Sequence, residues 1–418
     1  MPIGPKIGLI GASFFLPIAV LLVLMVDSMS GSIEFADKEL IGNALLRPLM
    51  GFQAAAQDYL DAGPGCAAGA ECAARRETAK AVAESTLALL DRETAANGRT
   101  LQFTFAGLNK RGRDGKDAAG LRSAWTRFAQ ADPANPEFAA SYAAVTDVAR
   151  TMITHAGDTS NLILDPDLDS FYLMDAVLIA APQMQDRLAS IVQISRGLAN
   201  GDAERLKLAV AAAMFDEADL SRLVASTKTA INEDSNFYGV SSTLGPRLEA
   251  SLAAVSDRSK QLLEAIRNGG SGETVAKLAA ETRQANFAFW TQASEELDVL
   301  LKTRIRDYEG QRMRAVVISG LAVLGASLLA FFLLQSITKP LEKLVRTLGP
   351  GATLLSGCVE KIAEVTQQQT PSPEEASIIC EELNAHADDM RMAVLELARQ
   401  VRGADAEQLA SNAAGIRS

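Results

Sequence analysis

Apolar and polar residues alternate at helical spacing along most of the chain, and two stretches break that pattern. Ile7 to Val26 and Ala315 to Leu334 each run for 20 residues without a charge. A helix of that length rises roughly 30 Å, the thickness of a bilayer's hydrocarbon core. Both stretches therefore predict membrane spans, assigned to residues 7–26 and 315–335. Inside the second, only Ser319 and Ser327 are polar, and Gly320 and Gly325 are small residues that let membrane helices approach closely. A buried core helix is the alternative for this run, and its length argues against it. The first run could instead be a cleaved signal peptide. Its apolar region exceeds the usual ~7–15 residues and no Ala-x-Ala site follows.

Between the spans, residues 27–314 read as a large helical bundle. Ile33, Leu40, Leu45 and Leu49 extend the first span into a rod that Pro48 should kink and that ends at Asp61-Ala62-Gly63-Pro64-Gly65. Further helical patterns cover 73–96, a segment from Leu121, and Phe138 to about Ile163. They continue over 169–199, 202–233, 246–268 and 273–335. The fold class is all-α, as one long bundle or two stacked ones, because these apolar stripes can bury only against each other. Phe287, Phe289 and Trp290 are expected inside it.

Composition narrows the function. The chain has 418 residues, 48% hydrophobic and only 5% aromatic, with a formal charge of −11. Such an acidic chain without a basic stripe excludes nucleic acid as a partner. No nucleophile, base and orienting group can be read together, so no enzyme, cofactor or metal site is expected. Lys339, Lys343 and Arg346 favour a cytoplasmic tail, whereas Arg304, Arg306, Arg312 and Arg314 flank the opposite end of the span. Long domains cross largely regardless of charge, so residues 1–6 are placed in the cytoplasm, the bundle outside and the tail inside.

Several local signals remain. Cys66 and Cys72 form a candidate disulfide in an oxidising compartment, with two free thiols as the equal alternative. Lys110, Arg111, Arg113 and Lys116 form a basic, glycine-broken loop that reads as solvated before it reads as an anion site. In Asn161 to Asp175, Asp165 is expected as a helix N-cap with Pro166 at the first helical position. Asp167 and Asp169 would then face the helix dipole from the first turn. A calcium loop fits less well, since its sixth position is Ser170 and its twelfth is Ala176. The stretch Leu164-Asp165-Pro166-Asp167-Leu168-Asp169-Ser170-Phe171-Tyr172-Leu173-Met174-Asp175 resembles a segment found in helical extracytoplasmic domains of some chemoreceptors and sensor kinases. That resemblance supports the fold and assigns no ligand contact.

After the second span, Ile337-Thr338-Lys339-Pro340-Leu341 predicts a new helix starting at Pro340. This junction resembles the opening of a HAMP linker, and the region 336–369 is read accordingly. Gly349-Pro350-Gly351 should stop that helix, with another over 352–369. Residues 370–418 follow as a coiled-coil tail whose seam is Leu383, His386, Met390, Ala393 and Leu397. His386 reads as a polar register residue. The glycine connector and the Asp-Glu-x-Gly ending of HAMP linkers are absent. Glu381 and Glu382 are similar to the paired methylation sites of methyl-accepting chemotaxis proteins, but the kinase-control hairpin of that family is missing. The resemblance implies a homodimeric receptor in the bacterial inner membrane, surrounded by lipid. It would have an unknown periplasmic ligand, and its output would pass through the chemotaxis kinase or a separate signalling protein. The sensor portion of a two-component histidine kinase and a membrane-tethered helical structural protein are the competing readings.

Overall fold

A computed structural model describes residues 3–63, 70–135, 137–198 and 201–367, with scattered positions between 377 and 392. Among the described residues there is no strand. The helices are α1 (Ile3–Asp61), α2 (Ala70–Asn97), α3 (Phe105–Asn109), α4 (Ala118–Gln130), α5 (Glu137–Thr159) and α6 (Leu168–Asp175). They continue as α7 (Ala181–Arg196), α8 (Asp202–Met214), α9 (Ser221–Glu233), α10 (Leu244–Arg267) and α11 (Gly272–Gln367). The chain divides into two compact units, Val26–Met313 and a second made of residues 1–25 with 314–418.

The Val26–Met313 unit is an up-and-down helical bundle. We call the end carrying Val26 and Met313 its root and the opposite end its tip. Its organising feature is the antiparallel pairing of α1 with α11. Asp58 meets Arg283, Asn43 meets Ser294 and Asp298, Glu39 meets Arg304, and Ser30 meets Arg312. Each step along α1 is matched by an equal step back along α11, so the two helices hold one register over nearly thirty residues. The other helices are tied on by Arg150–Asp186 between α5 and α7 at 2.8 Å and Arg258–Glu281 between α10 and α11 at 2.9 Å. Exposed pairs of this kind contribute little energy each, and the stability comes from one continuous apolar core drawing on α1, α2 and α4 through α11. Trp125, Tyr59, Phe128 and Phe138 form its aromatic centre near the tip, with neighbouring ring centroids 4.8–6.2 Å apart.

Two details show how sequence shapes this packing. Gly42 on α1 faces Ser160 so closely that a Cβ there would lie 2.2 Å from the serine Oγ, so the helix crossing requires glycine. Between α6 and α7, residues Ala176–Ala180 form a π-turn in which the Ala181 N–H reaches back to Ala176 O. Pro182 has no N–H, so Val177 O loses a partner in the widened register, and the Trp290 indole N–H donates to it at 2.8 Å. The adjacent Ala181 O accepts from Asn286 at 3.0 Å. Phe289 and Trp290 are fully buried, as expected, while Phe287 is only partly covered.

In the second unit, the described apolar side chains from Leu16 and from Val316 onward are largely exposed. The helices Leu16–Asp61 and Gly272–Ile337 are long and apolar enough to cross a membrane, and the rest of the chain buries none of their apolar windows. Two expected breaks are absent: α11 passes both Pro340 and Gly349-Pro350-Gly351 as helix, and α1 is likewise continuous through Pro48, where the sequence predicts a kink. Each proline forfeits one backbone bond, a local loss that the long helix on either side outweighs. Ile337, Thr338, Pro340 and Leu341 are therefore interior positions of α11. Glu381, Glu382 and His386 are helical, the two glutamates exposed. Leu383, Met390, Ala393 and Leu397 lie outside the described residues.

Candidate functional site

The most completely built polar site lies in the root half of the bundle, where α1, the turn before α6 and α11 converge on Arg304. Arg304 continues the buried stripe Leu297, Leu300 and Leu301 of α11, and its guanidinium is only 2% exposed. Nη1 donates to Glu39 Oε2 at 2.8 Å and Nη2 to Asp165 Oδ1 at 2.5 Å. Nη2 also contacts Ser170 Oγ. Nε approaches Asp167 Oδ2 at 2.5 Å as an ion pair whose N–H is not aimed for a hydrogen bond, which is why both atoms lack a hydrogen-bond partner. Three carboxylates thus surround one cation.

The turn is held by its own acids. Asp165 Oδ1 accepts from the Asp167 N–H at 3.0 Å and from Ser170 Oγ at 2.9 Å, an Asx-type turn that aims the carboxylates inward. The helix begins two residues later than expected. Asp167 holds the N-cap position of α6 without a side-chain capping bond, Asp169 sits in the first turn, and Asp165 is not the cap. The competition is physical: Asp165 satisfies the turn and the buried guanidinium together, and Pro166, with no N–H to offer, stays outside the helix. Asp169 Oδ1 accepts from the Ser170 N–H at 2.7 Å.

Electrostatics follow from burial and crowding. Burial, then the charge of Asp165, pushes Glu39 up to about 9 against the pull of Arg304. Burial raises Asp165 as well, with Arg304 opposing. Asp169 is pushed up to about 6, again chiefly by burial. Burial alone would lower Arg304, but Asp165, Glu39 and Asp167 together hold it above its ordinary value. Tyr238, in a left-handed conformation with φ 50°, closes the root side of this region through its hydroxyl contact with Tyr308 at 3.3 Å. Burial, the Tyr308 contact and Asp167 all raise its hydroxyl pKa.

A second buried arginine, Arg283, lies nearer the tip. It donates to Asp61 at 2.5 Å and Asp58 at 2.9 Å, and Arg196 shares Asp61 at 3.2 Å. Beside it runs an open groove of about 380 Å³ lined by Arg47, Met50, Asp58, Arg283 and Phe287, among others. Its cations are already paired, Arg47 with Asp298 at 2.6 Å. In the basic loop, Lys110 is exposed and the other three cations bond to protein groups: Arg113 bridges Asp158 at 2.6 Å, Lys116 pairs with Asp147, and Arg111 bonds Gln102 at 2.8 Å. His155 is buried there, accepting from Arg113 at Nδ1, which places its proton on Nε2 facing Gln102 O. Cys72 opens α2 and is disulfide-bonded, whereas Cys66 lies outside the described residues. Among the described residues no group of His, Cys, Asp and Glu is arranged to hold a metal ion.

The acids at 165, 167 and 169 were visible in the sequence; Glu39 and the binding role of Arg304 were not singled out there. The signal for both was a charged residue on an otherwise buried stripe. Comparison of the chain with protein families, with curated proteins and with solved structures finds no match.

Proposed function

We propose that the chain is a transmembrane sensor of the bacterial inner membrane, of the kind represented by methyl-accepting chemotaxis receptors. Its two spans would flank a periplasmic helical bundle, and it would act as a homodimer. The observation that carries this reading is helix α11, unbroken from Gly272 to Gln367 and containing both the buried stripe of the bundle and an uncharged run of membrane length. A signal bound to the bundle would bias two packings of α1 against α11, and α11 would convey the bias to the tail and on to a kinase or separate signalling protein. The ion cage at Arg304 is the joint in this scheme, since it is where α1, α11 and the acidic turn are fastened together.

Topology provides the test. A membrane-impermeant maleimide applied to intact cells after reduction should label Cys66 or Cys72 and spare Cys358 and Cys380. Labelling of the last two with protection of the first two would overturn the arrangement.

A further inference from the structure

The cage contains more acid than base. Facing Glu39 are Arg304 from α11 and Asp165 and Asp167 from the turn before α6, with Asp169 one turn on. Tyr308 on α11 and Tyr238 in the α9–α10 connection cover the Asp167 side. If Glu39, Asp165 and Asp167 were all ionised, one guanidinium would leave two negative charges uncompensated in a closed site, which protein interiors do not tolerate.

The three acids are unequally supported. Asp165 Oδ1 accepts from Arg304, the Asp167 N–H and Ser170. Glu39, with 0% exposure, has one hydrogen bond, and its Oε1 is buried without a partner among the described residues, as is Asp165 Oδ2. A proton on Glu39 removes one surplus charge from the closed site.

We propose that Glu39 is a protonation switch: it carries a proton while α1 and α11 are fastened, and losing that proton loosens α1 from Arg304 and the acidic turn. The inference concerns residues 26–313 and stands apart from the receptor topology. Its sign follows from linkage. A carboxyl whose value is raised in the folded cage, here from 4.5 to about 9, stabilises the closed form fully below its ordinary value. That contribution is lost as pH rises toward the folded one. Opening of the cage should therefore become up to about tenfold more frequent per pH unit in that interval and level off above it.

The test uses the full chain in lipid nanodiscs. Infrared spectra should show a protonated carboxyl band at pH 7 that disappears with a midpoint near 9 and is missing in Glu39→Gln. Hydrogen exchange of the amides around Glu39 and Arg304, corrected for intrinsic chemistry, should lose up to about tenfold protection per pH unit in the wild type and show a clearly shallower slope in Glu39→Gln, where only the raised carboxyls of Asp165 and Asp169 remain. Should Glu39→Gln fail to fold, Asp165→Asn takes its place, because removing the neighbouring charge must move the infrared midpoint to lower pH. A wild type with no such band, a band retained in Glu39→Gln, a midpoint unmoved in Asp165→Asn, or loss of the band without loss of protection would each overturn the proposal.

Discussion

Replacing Arg304 with Met removes a cation while keeping a side chain of similar length on the α11 stripe. The guanidinium is 2% exposed and its partners Glu39 and Asp165 have side chains at 0%, so the substitution strands buried carboxylates rather than freeing solvated ones. Breaking a buried pair in this way costs about 3–5 kcal/mol, far more than the ~0–1 kcal/mol of a surface pair. For domains this large, each kcal/mol moves the melting temperature by roughly 2–4 °C. Thermal unfolding of the full chain in detergent, followed by circular dichroism, should therefore fall by on the order of 10 °C. Arg47→Met provides the control on the same helix pair. Arg47 is 42% exposed and pairs with Asp298, so its loss should cost less than about 1 kcal/mol. The Arg304→Met defect should also shrink toward acid pH, where the raised carboxyl of Asp165 can protonate. Equal, small losses for Arg304→Met and Arg47→Met would refute the cage as the fastening between α1 and α11.

Two further outcomes concern packing. Gly42→Ala should destabilise the bundle by about 1–3 kcal/mol in chemical denaturation, despite alanine's better helix propensity, because the new Cβ overlaps Ser160. Combining it with Ser160→Gly should recover most of that loss. Trp290→Phe should cost about 1–3 kcal/mol, since it strands the Val177 carbonyl that Pro182 cannot serve, and amide exchange around Ala176–Ala180 should rise.

The helical class, the run of helices and the two apolar stretches were legible because each rests on periodicity within one segment. Breaks were less legible. Pro340 and Gly349-Pro350-Gly351 read as interruptions by local propensity, yet α11 continues through them. Asp-Pro is a strong local start signal that points to Asp165 as a cap, but a residue 139 positions away, Arg304, competes for the same oxygen. The pairing of α1 with α11 and the Trp290–Val177 bond span well over a hundred residues each, and no local pattern encodes them. Glu39 was within reach. It lies between Ala36 and Leu46 on the buried face of α1, and an acid in that position requires a buried partner.

A buried ion cage is a poor choice for stability alone, because well-packed apolar residues of the same volume usually do as well or better. Its advantage is discreteness. Apolar burial is non-directional, whereas the hydrogen bonds of Arg304 require Glu39, Asp165 and Ser170 at defined positions. A small shift of α1 along α11 would therefore meet a steep rise in energy, which in the proposed sensor scheme favours two packings over a continuum. Tyr238 sits at φ 50° beside the cage, its hydroxyl in contact with that of Tyr308. Asn43, one turn beyond Glu39, is bonded to Ser294 and Asp298 without involving Arg304, so in the proposed scheme it would serve as the pivot for the root half of α1.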